Sequence, residues 1–266
     1  NKGHSVNAQT DLPVLLGQAL GDDFDLRQLL LKQLLTDGHS VAQVVDYELS
    51  LYDVQAPALV GIKEEFLAAA RLDNLFSCYM GLSAMLAADT TQGMLLVCND
   101  HEEVGSQSAE GAQGSFLMSV LQRIYPSAEQ LHQVLDASTF ISADNAHGVH
   151  PNFANKHDEQ HGPKLNAGPV IKVNANQRYA TNAVTSAMIK ELAAQANLPI
   201  QTFVVRSDMG CGSTIGPITD AQLGVRTLDL GAPTFAMHSI RELAGSADAL
   251  ITHQLLQAFF ETQMVV

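Results

Sequence analysis

An acidic cluster at residues 100–103, Asp-His-Glu-Glu, directly follows the apolar run at residues 94–98 and constrains this chain more than any other feature. An apolar run of this length predicts a buried β-strand. In open α/β sheets, ligands bind beyond the carboxyl ends of such strands. The sequence therefore predicts that Glu102 and Glu103 lie at a sheet edge, where one binds a metal ion and the other moves protons. Taken alone, a Glu-Glu pair is more often solvated surface charge.

Three further residues that can bind a metal lie close to apolar runs, namely Asp73, Asp144 and His238. Carboxylate oxygens and imidazole nitrogens suit zinc or a similar divalent ion. A carboxylate has two oxygens and can bridge a pair of ions. Together with the acidic cluster, these positions predict a two-metal hydrolase.

Six sequence blocks follow one another between residues 71 and 242: RLDNL, HEEVGS, SADNAHGVHPNF, GPVIKVNANQRYATN, SDMGCGSTIGPITDAQLG and APTFAMHSIRE. In this order they resemble the aspartyl aminopeptidases, which are the M18 metallopeptidases, and the resemblance runs from about residue 47 onward. The resemblance implies an α/β fold with a three-layer α/β/α metallopeptidase domain and a mixed sheet. This catalytic domain is expected over residues 61–266, after the remnant of an inserted dimerisation domain over residues 1–60.

The resemblance also implies a set of metal ligands. Asp73 is expected to bridge two zinc ions, Glu103 and His238 to complete the site of one ion, and Asp144 to serve the other. Glu102 is then the general base that takes a proton from the attacking water. Cobalt or manganese could replace zinc as the native ion. A further implication is that the peptide bond after Asp73 is cis.

The activity implied by the resemblance is removal of an amino-terminal Asp or Glu from peptides. His147, Lys172 and Tyr179 are expected in or beside the pocket for the acidic side chain, and Gly212 where backbone approaches the substrate. From the residues alone, Lys172 could equally reach water from a strand end, and His147 could be a loop imidazole. Two alternatives stay open: a related two-metal amidase or deacylase, and a catalytically incomplete fragment that keeps only assembly contacts.

One part of the family pattern does not occur in this sequence. The second ion of the family also takes a histidine from an amino-terminal His-x-Asp-Ser-Pro segment, which is absent here. We therefore expect the chain to be the carboxy-terminal portion of a longer protein, with one metal site incomplete. His4 lies in a polar terminal stretch and is not expected to replace the missing ligand.

Composition argues against several classes of partner. The formal net charge is -14 with only 14 Lys and Arg residues, whereas nucleic acid binding needs a concentrated basic surface. No apolar stretch reaches membrane-spanning length. The three cysteines include no Cys-x-x-Cys pair, which fits a reducing compartment. We expect a cytoplasmic protein with no nucleic acid or membrane partner, and the resemblance implies a homo-oligomer, a dodecamer.

Hydrophobic spacing predicts the secondary structure. Helices are predicted over residues 26–35, 75–87, 115–124, 183–196 and 239–260. Strands are predicted over residues 41–51, 94–98, 138–143, 202–206 and 225–230.

Overall fold

The computed structural model describes residues 3–18, 24–89 and 91–262. The chain divides into two compact units, Asn1–Leu51 and Tyr52–Val266. The domain boundary expected at residue 60 stays a prediction. None of the helices in the described part of the chain is both long enough and apolar enough to cross a membrane.

Within its described residues, the first unit contains one helix, α1, at Leu26–Thr36, where a helix was predicted. The Asp25 carboxylate accepts the backbone N–H groups of Arg27 and Gln28 and so caps the helix start. No residue of α1 is buried. The strand predicted at residues 41–51 is wrong, because this segment is irregular and mostly exposed. A strand needs a neighbouring strand edge, and none of the described residues supplies one.

The described part of the second unit contains nine strands in two mixed sheets. The first sheet has the strand order β1-β2-β9-β8-β4, and the second has the order β3-β7-β5-β6. The strands are β1 Ala58–Val60, β2 Phe66–Ala69, β3 Thr139–Ala143, β4 Ala146–His147, β5 Val170–Val173, β6 Gln201–Val204, β7 Arg226–Gly231, β8 Pro233–Phe235 and β9 Glu242–Gly245.

Six α-helices accompany these sheets in the same described residues. They are α2 Leu72–Ala87, α3 Phe116–Ile124, α4 Ala128–Ala137, α5 Ala183–Gln195, α6 Gly216–Leu223 and α7 Ser246–Glu261, with a 3-10 helix at Pro151–Lys156. The largest cluster of buried apolar side chains joins α2, α5 and α7 to β5 and β7. Helices packed on mixed sheets define an α/β fold, and the predicted fold class is confirmed.

The two sheets are joined where a parallel strand pair runs from one into the other. The pair β3–β7 continues as β4–β8, and the Asp144 N–H donates to the Leu230 carbonyl at 2.9 Å between them. The backbone crossing is tight, since a Cβ on Gly231 would lie 1.6 Å from the Asp144 carbonyl oxygen. Glycine is therefore required at this crossing, and the crossing fixes Asp144 at the junction.

Two predicted elements are wrong in ways that affect the site. Residues 94–98 form neither a strand nor a helix, and the Leu96 side chain is 3.1 Å from where a Cβ on Gly81 would be. An apolar run indicates burial but does not select a pairing partner. Glu102 and Glu103 therefore lie in a loop rather than at a strand end. The last helix begins at Ser246, because Glu242–Gly245 forms β9 between β2 and β8.

Candidate metal centre

Asp73 lies at the start of α2, where the backbone departs from helical geometry. Arg71 has φ 56°, Asp73 and Asn74 are non-helical, and the peptide bond between them is cis. The expectation of a cis bond after Asp73 is thus confirmed. The Asp73 side chain is only 4% exposed. Its Oδ1 is buried and has no hydrogen-bond donor, so this oxygen is available to a ligand.

Glu103 and His238 converge on Asp73 from two loops distant in sequence. His238 lies between β8 and β9 with φ 65°, and its Nε2 is 3.0 Å from Asp73 Oδ2 and 3.2 Å from Glu103 Oε2. One donor atom from each of the three residues lies within 4.8 Å of the other two. Glu103 and His238 are 56% and 60% exposed in their side chains, so the cluster opens to solvent on that side.

Asp144 is close enough to Asp73 for its carboxylate to add to the effect of burial and raise the pKa of Asp73. The partner of Asp144 is the buried Lys172, whose Nζ donates to Asp144 Oδ2 at 3.0 Å and to the Asn145 carbonyl at 3.0 Å. Asp73 therefore interacts with two groups of side chains: Glu103 and His238, here called the first side, and Asp144 and Lys172, here called the neutralised side.

Two asparagines connect the segments that carry Asp73 and Asp144. Asn74 Nδ2 donates to the Ala143 carbonyl at 2.7 Å, and Asn145 Nδ2 donates to the Leu72 carbonyl at 2.9 Å. Each asparagine follows one of the aspartates in the chain and binds the backbone beside the other. The spacing between the two aspartates is therefore fixed by the backbone as well as by their side chains.

The electrostatics of the cluster are dominated by like charge. Burial, together with the carboxyls of Asp144, Glu103 and Glu242, raises the pKa of Asp73 to about 7. Partial burial acts to lower the pKa of His238, but the carboxyls of Glu103 and Asp73 outweigh it, and the pKa is raised. A cation at this position would relieve the repulsion among the carboxylates.

Glu102 is half-buried next to the cluster. Burial, followed by the charges of Asp144 and Glu103, raises the pKa of its carboxyl group. Glu102, Glu103, Asp73 and Asp144 line one cavity of about 480 Å³. The general base predicted from the sequence is thus adjacent to the predicted ligands, although the strand expected to carry it does not form.

The three predicted side chains of the substrate pocket lie near Asp144. Lys172 is 2% exposed on β5, and its Nζ is 5.3 Å from the centre of the Tyr179 ring. His147 ends β4, and the pKa of His147 is lowered by desolvation and by the charges of His157 and Lys172. Burial and the neighbouring Cys211 raise the pKa of Tyr179. Gly212 is exposed in the loop before α6, and its role stays a prediction.

The residues present fit a zinc ion. Carboxylate oxygens and imidazole nitrogens are both zinc donors, and a catalytic zinc ion has three protein ligands with the fourth position left to water or substrate. The three donors are already assembled, Asp73 Oδ1 has no donor, and the mutual repulsion of the carboxylates favours a divalent cation.

Sequence reasoning missed two buried carboxylates beside the site. Glu242 is 2% exposed and accepts the backbone N–H groups of Asp73 and His238. Asp229 is 0% exposed and interacts with the charge of Lys172. Both lie inside apolar strands, and an acidic residue in such a strand was the available signal, because charged residues are rarely buried without a partner.

A carboxylate and imidazole cluster in an α/β fold is typical of a metal-dependent hydrolase. A family model described as "Aminopeptidase I zinc metalloprotease (M18)" matches residues 20–260. The chain therefore belongs to the M18 family of zinc metalloproteases, as its sequence blocks implied.

The relatives include the "Probable M18 family aminopeptidase 2" of Pseudomonas putida, 57% identical over 265 residues, which cover 99% of this chain. The protein of the same description from Pseudomonas fluorescens is 56% identical over the same span. This chain spans 62% of the length of each relative.

Solved structures with the same fold include one described as "Cryo-EM structure of the Ape4 and Nbr1 complex". It has a TM-score of 0.82 and 38% identity and covers 97% of this chain and 53% of its own. Yeast aminopeptidase 1 has a TM-score of 0.79 and 31% identity and covers 89% of this chain and 56% of its own.

Proposed function

We propose that this protein is a zinc-dependent aminopeptidase that hydrolyses an amino-terminal residue, preferably Asp or Glu, from peptides. The observation that carries the proposal is the convergence of Asp73, Glu103 and His238 within 4.8 Å in a chain of the M18 family. When bound, zinc activates a water molecule for attack and polarises the peptide carbonyl. Membership of a zinc metalloprotease family supports zinc as the ion, and cobalt and manganese are the other candidates.

Each residue of the cluster has a distinct proposed role. Asp73, Glu103 and His238 hold one ion, and Asp144 serves a second ion that Asp73 bridges in the full-length protein. Glu102 is the general base, because it borders the same cavity as the ligands without belonging to the three-residue cluster. It accepts a proton from the attacking water and returns it to the departing amine.

The preference for an acidic residue is supported by the cationic group beside Asp144. The Lys172 ammonium is buried at this position, and in addition to desolvation its charge helps to lower the pKa of the nearby His147. A buried cation next to a metal centre favours a substrate carboxylate over an apolar side chain. Tyr179 packs against the same lysine and forms a wall of the proposed pocket.

The proposed partners are peptides with an acidic amino terminus and further copies of the same chain. A related M18 protein of yeast, 31% identical to this chain, is described as a dodecamer, which supports a homo-oligomer, and we propose the same assembly for this family member. A cytoplasmic location stays a prediction that cell fractionation would test.

The decisive experiment compares substrates on the purified, zinc-loaded chain. We expect cleavage of Asp- and Glu-peptides, slower cleavage of a Leu-peptide, and loss of activity on chelation. Cleavage of an N-acyl amino acid alone would instead support the related two-metal amidase or deacylase. No turnover of any substrate, together with fewer than two bound ions by mass spectrometry, would support the catalytically incomplete fragment.

A further inference from the structure

Glu242 is a buried carboxylate that touches both segments bearing the central ligands. Its Oε2 accepts the Asp73 N–H at 2.7 Å, and its Oε1 accepts the His238 N–H at 2.6 Å. The residue is 2% exposed. Each carboxylate oxygen therefore binds the backbone of one ligand residue, and both bonds are short, as is usual when an ionised acceptor is involved.

The two segments that Glu242 joins have no regular structure to hold them in place. Asp73 and His238 are 165 residues apart in the chain. His238 has φ 65° in the loop between β8 and β9, a conformation that non-glycine residues seldom adopt without support from their surroundings. The Asp73 backbone is non-helical at the start of α2. Both backbones therefore need an external contact to keep their side chains directed at one point.

Glu242 is well placed to supply that contact. It lies in β9, which is paired on one side with β2 through Ala69 and on the other side with β8. Glu242 is the first residue of β9 and is paired with Ala69, so its side chain projects from a paired strand rather than from a loop. Its negative charge also acts on Asp73, where it adds to the potential that favours a cation.

We propose that Glu242 is a positioning residue of the metal centre: it fixes the backbones of Asp73 and His238 so that their side chains meet in the geometry that binds zinc. The inference rests on the proposed function, because it assumes that these two residues are ligands. Residues that orient metal ligands in this way typically change metal affinity by about 10- to 100-fold when they are mutated.

Asp248 offers a matched control within the same chain. It is 0% exposed, and its carboxylate likewise accepts two backbone N–H groups, from Asn166 at 2.7 Å and from Gly168 at 2.8 Å. Neither Asn166 nor Gly168 belongs to the predicted site. A purely structural effect of losing a buried carboxylate should therefore be the same at Asp248 as at Glu242.

The test is a zinc titration of the wild-type chain, Glu242→Gln and Asp248→Asn, by competition with a fluorescent chelator. Glutamine keeps the shape of glutamate but has one acceptor oxygen, so one of the two N–H groups loses its partner. We expect Glu242→Gln to weaken zinc binding by about 10- to 100-fold. Asp248→Asn is expected to lower stability to a similar degree and to leave zinc affinity unchanged. Circular dichroism checks that all three proteins are folded.

The possible outcomes separate the inference from the proposed function. Equal affinity of Glu242→Gln and wild type overturns the inference, and so does an equal loss in both variants. Absence of zinc binding by the wild-type chain contradicts the proposed metal site itself and removes the inference with it.

A second measurement needs no variant. In the metal-free wild-type chain, we expect the amide hydrogens of Asp73 and His238 to exchange slowly with solvent, because Glu242 already accepts both of them. Exchange of either amide as fast as in the exposed loops would overturn the inference even if Glu242→Gln failed to fold.

Discussion

The two sides of Asp73 differ in how negative charge is balanced. On the first side, the exposed His238 pairs with the carboxylates of both Asp73 and Glu103. On the other side, the buried Lys172 ammonium pairs directly with Asp144. The first side has carboxylates that repel one another, whereas on the neutralised side the Lys172 ammonium pairs with the carboxylate of Asp144. This difference indicates that a cation is favoured at the first side. At Asp144, an ion would have to compete with the Lys172 ammonium.

The largest expected effect comes from removing the shared carboxylate with Asp73→Asn. We expect zinc binding to fall below detection, because Asp73 belongs to the three-residue cluster and its side chain loses its charge. The metal-free variant should be more stable than the metal-free wild type, because a repulsive carboxylate is gone. The gain is on the order of 1 to 4 kcal/mol, the scale of one like-charge pair near a protein surface. Zinc titration and urea unfolding in the presence of a chelator measure the two effects.

The comparison predicts that Asp73→Asn lowers zinc binding and raises the stability of the metal-free chain. A variant that lost both zinc binding and metal-free stability would indicate that Asp73 is mainly structural. Ser83→Ala on the same helix is a suitable control, because Ser83 hydrogen-bonds to His253 rather than to the cluster. It should leave zinc binding unchanged.

The next effect concerns Glu102, which borders the cavity without being part of the three-residue cluster. We expect Glu102→Gln to retain normal zinc content and to lower turnover of an Asp-peptide by about 10²- to 10⁴-fold, the usual scale of general-base catalysis. Metal analysis and steady-state kinetics on the same preparation provide the measurement. Loss of zinc together with turnover would make Glu102 a ligand and would change which residues form the cation-binding side.

Lys172→Met addresses the neutralised side. Removing the lysine leaves Asp144 without its ion-pair partner and removes a positive charge that interacts with the buried Asp229. Breaking a buried ion pair from one side typically costs about 3 to 5 kcal/mol, and we expect a loss toward the lower end because the Asp144 side chain is 21% exposed. Urea unfolding measures it.

The same variant reports on specificity. If the Lys172 ammonium also recognises substrate, the preference for Asp-peptides over Leu-peptides should fall while the Leu-peptide rate stays measurable. A double variant with Asp144→Asn should recover part of the lost stability, because both charges are then absent. No recovery would show that the lysine acts through other contacts.

Three residues named from the sequence, Asp73, Glu103 and His238, lie together in the structure, whereas some of the elements expected near them did not form as predicted. The patterns of the helices at residues 26–36 and 183–195 are local, and those helices were found where expected. The segment at residues 94–98 was expected to be a strand and is not one, because pairing depends on a partner that an apolar run cannot specify. The short strand β9 lies within a segment that was predicted to be helical, because its pairing with β2 and β8 likewise cannot be read from a local pattern. Glu242 and Asp229 were missed because their roles depend on backbone groups far away in the chain.

The smallest expected effect comes from Asp229, a buried carboxylate that interacts with Lys172 of the neutralised side. Its carboxylate accepts the Ala180 N–H at 2.6 Å and the Thr214 hydroxyl at 2.5 Å. The Asp229→Asn side chain has one acceptor oxygen fewer, and we expect a stability loss of about 1 to 3 kcal/mol. Zinc affinity should not change, because the charged group that acts on Asp229 is Lys172 rather than a member of the three-residue cluster. A change in zinc affinity equal to that of Asp73→Asn would remove the distinction between the two sides.

The pH dependence of the difference in stability between the wild type and Asp229→Asn supplies a further check. Burial raises the pKa of Asp229 above its ordinary value, so the folded state holds this proton at pH values where the unfolded state has released it. The stability that the wild-type carboxyl contributes is therefore greatest in acid and declines as the pH rises above about 4, the ordinary pKa of aspartate. Asparagine does not titrate, so the stability gap between wild type and Asp229→Asn should narrow from acid toward neutral pH. A gap that widened would mean that Lys172 stabilises the ionised form more than burial opposes it, and the neutralised side would then be an ion-pair network rather than a single pair.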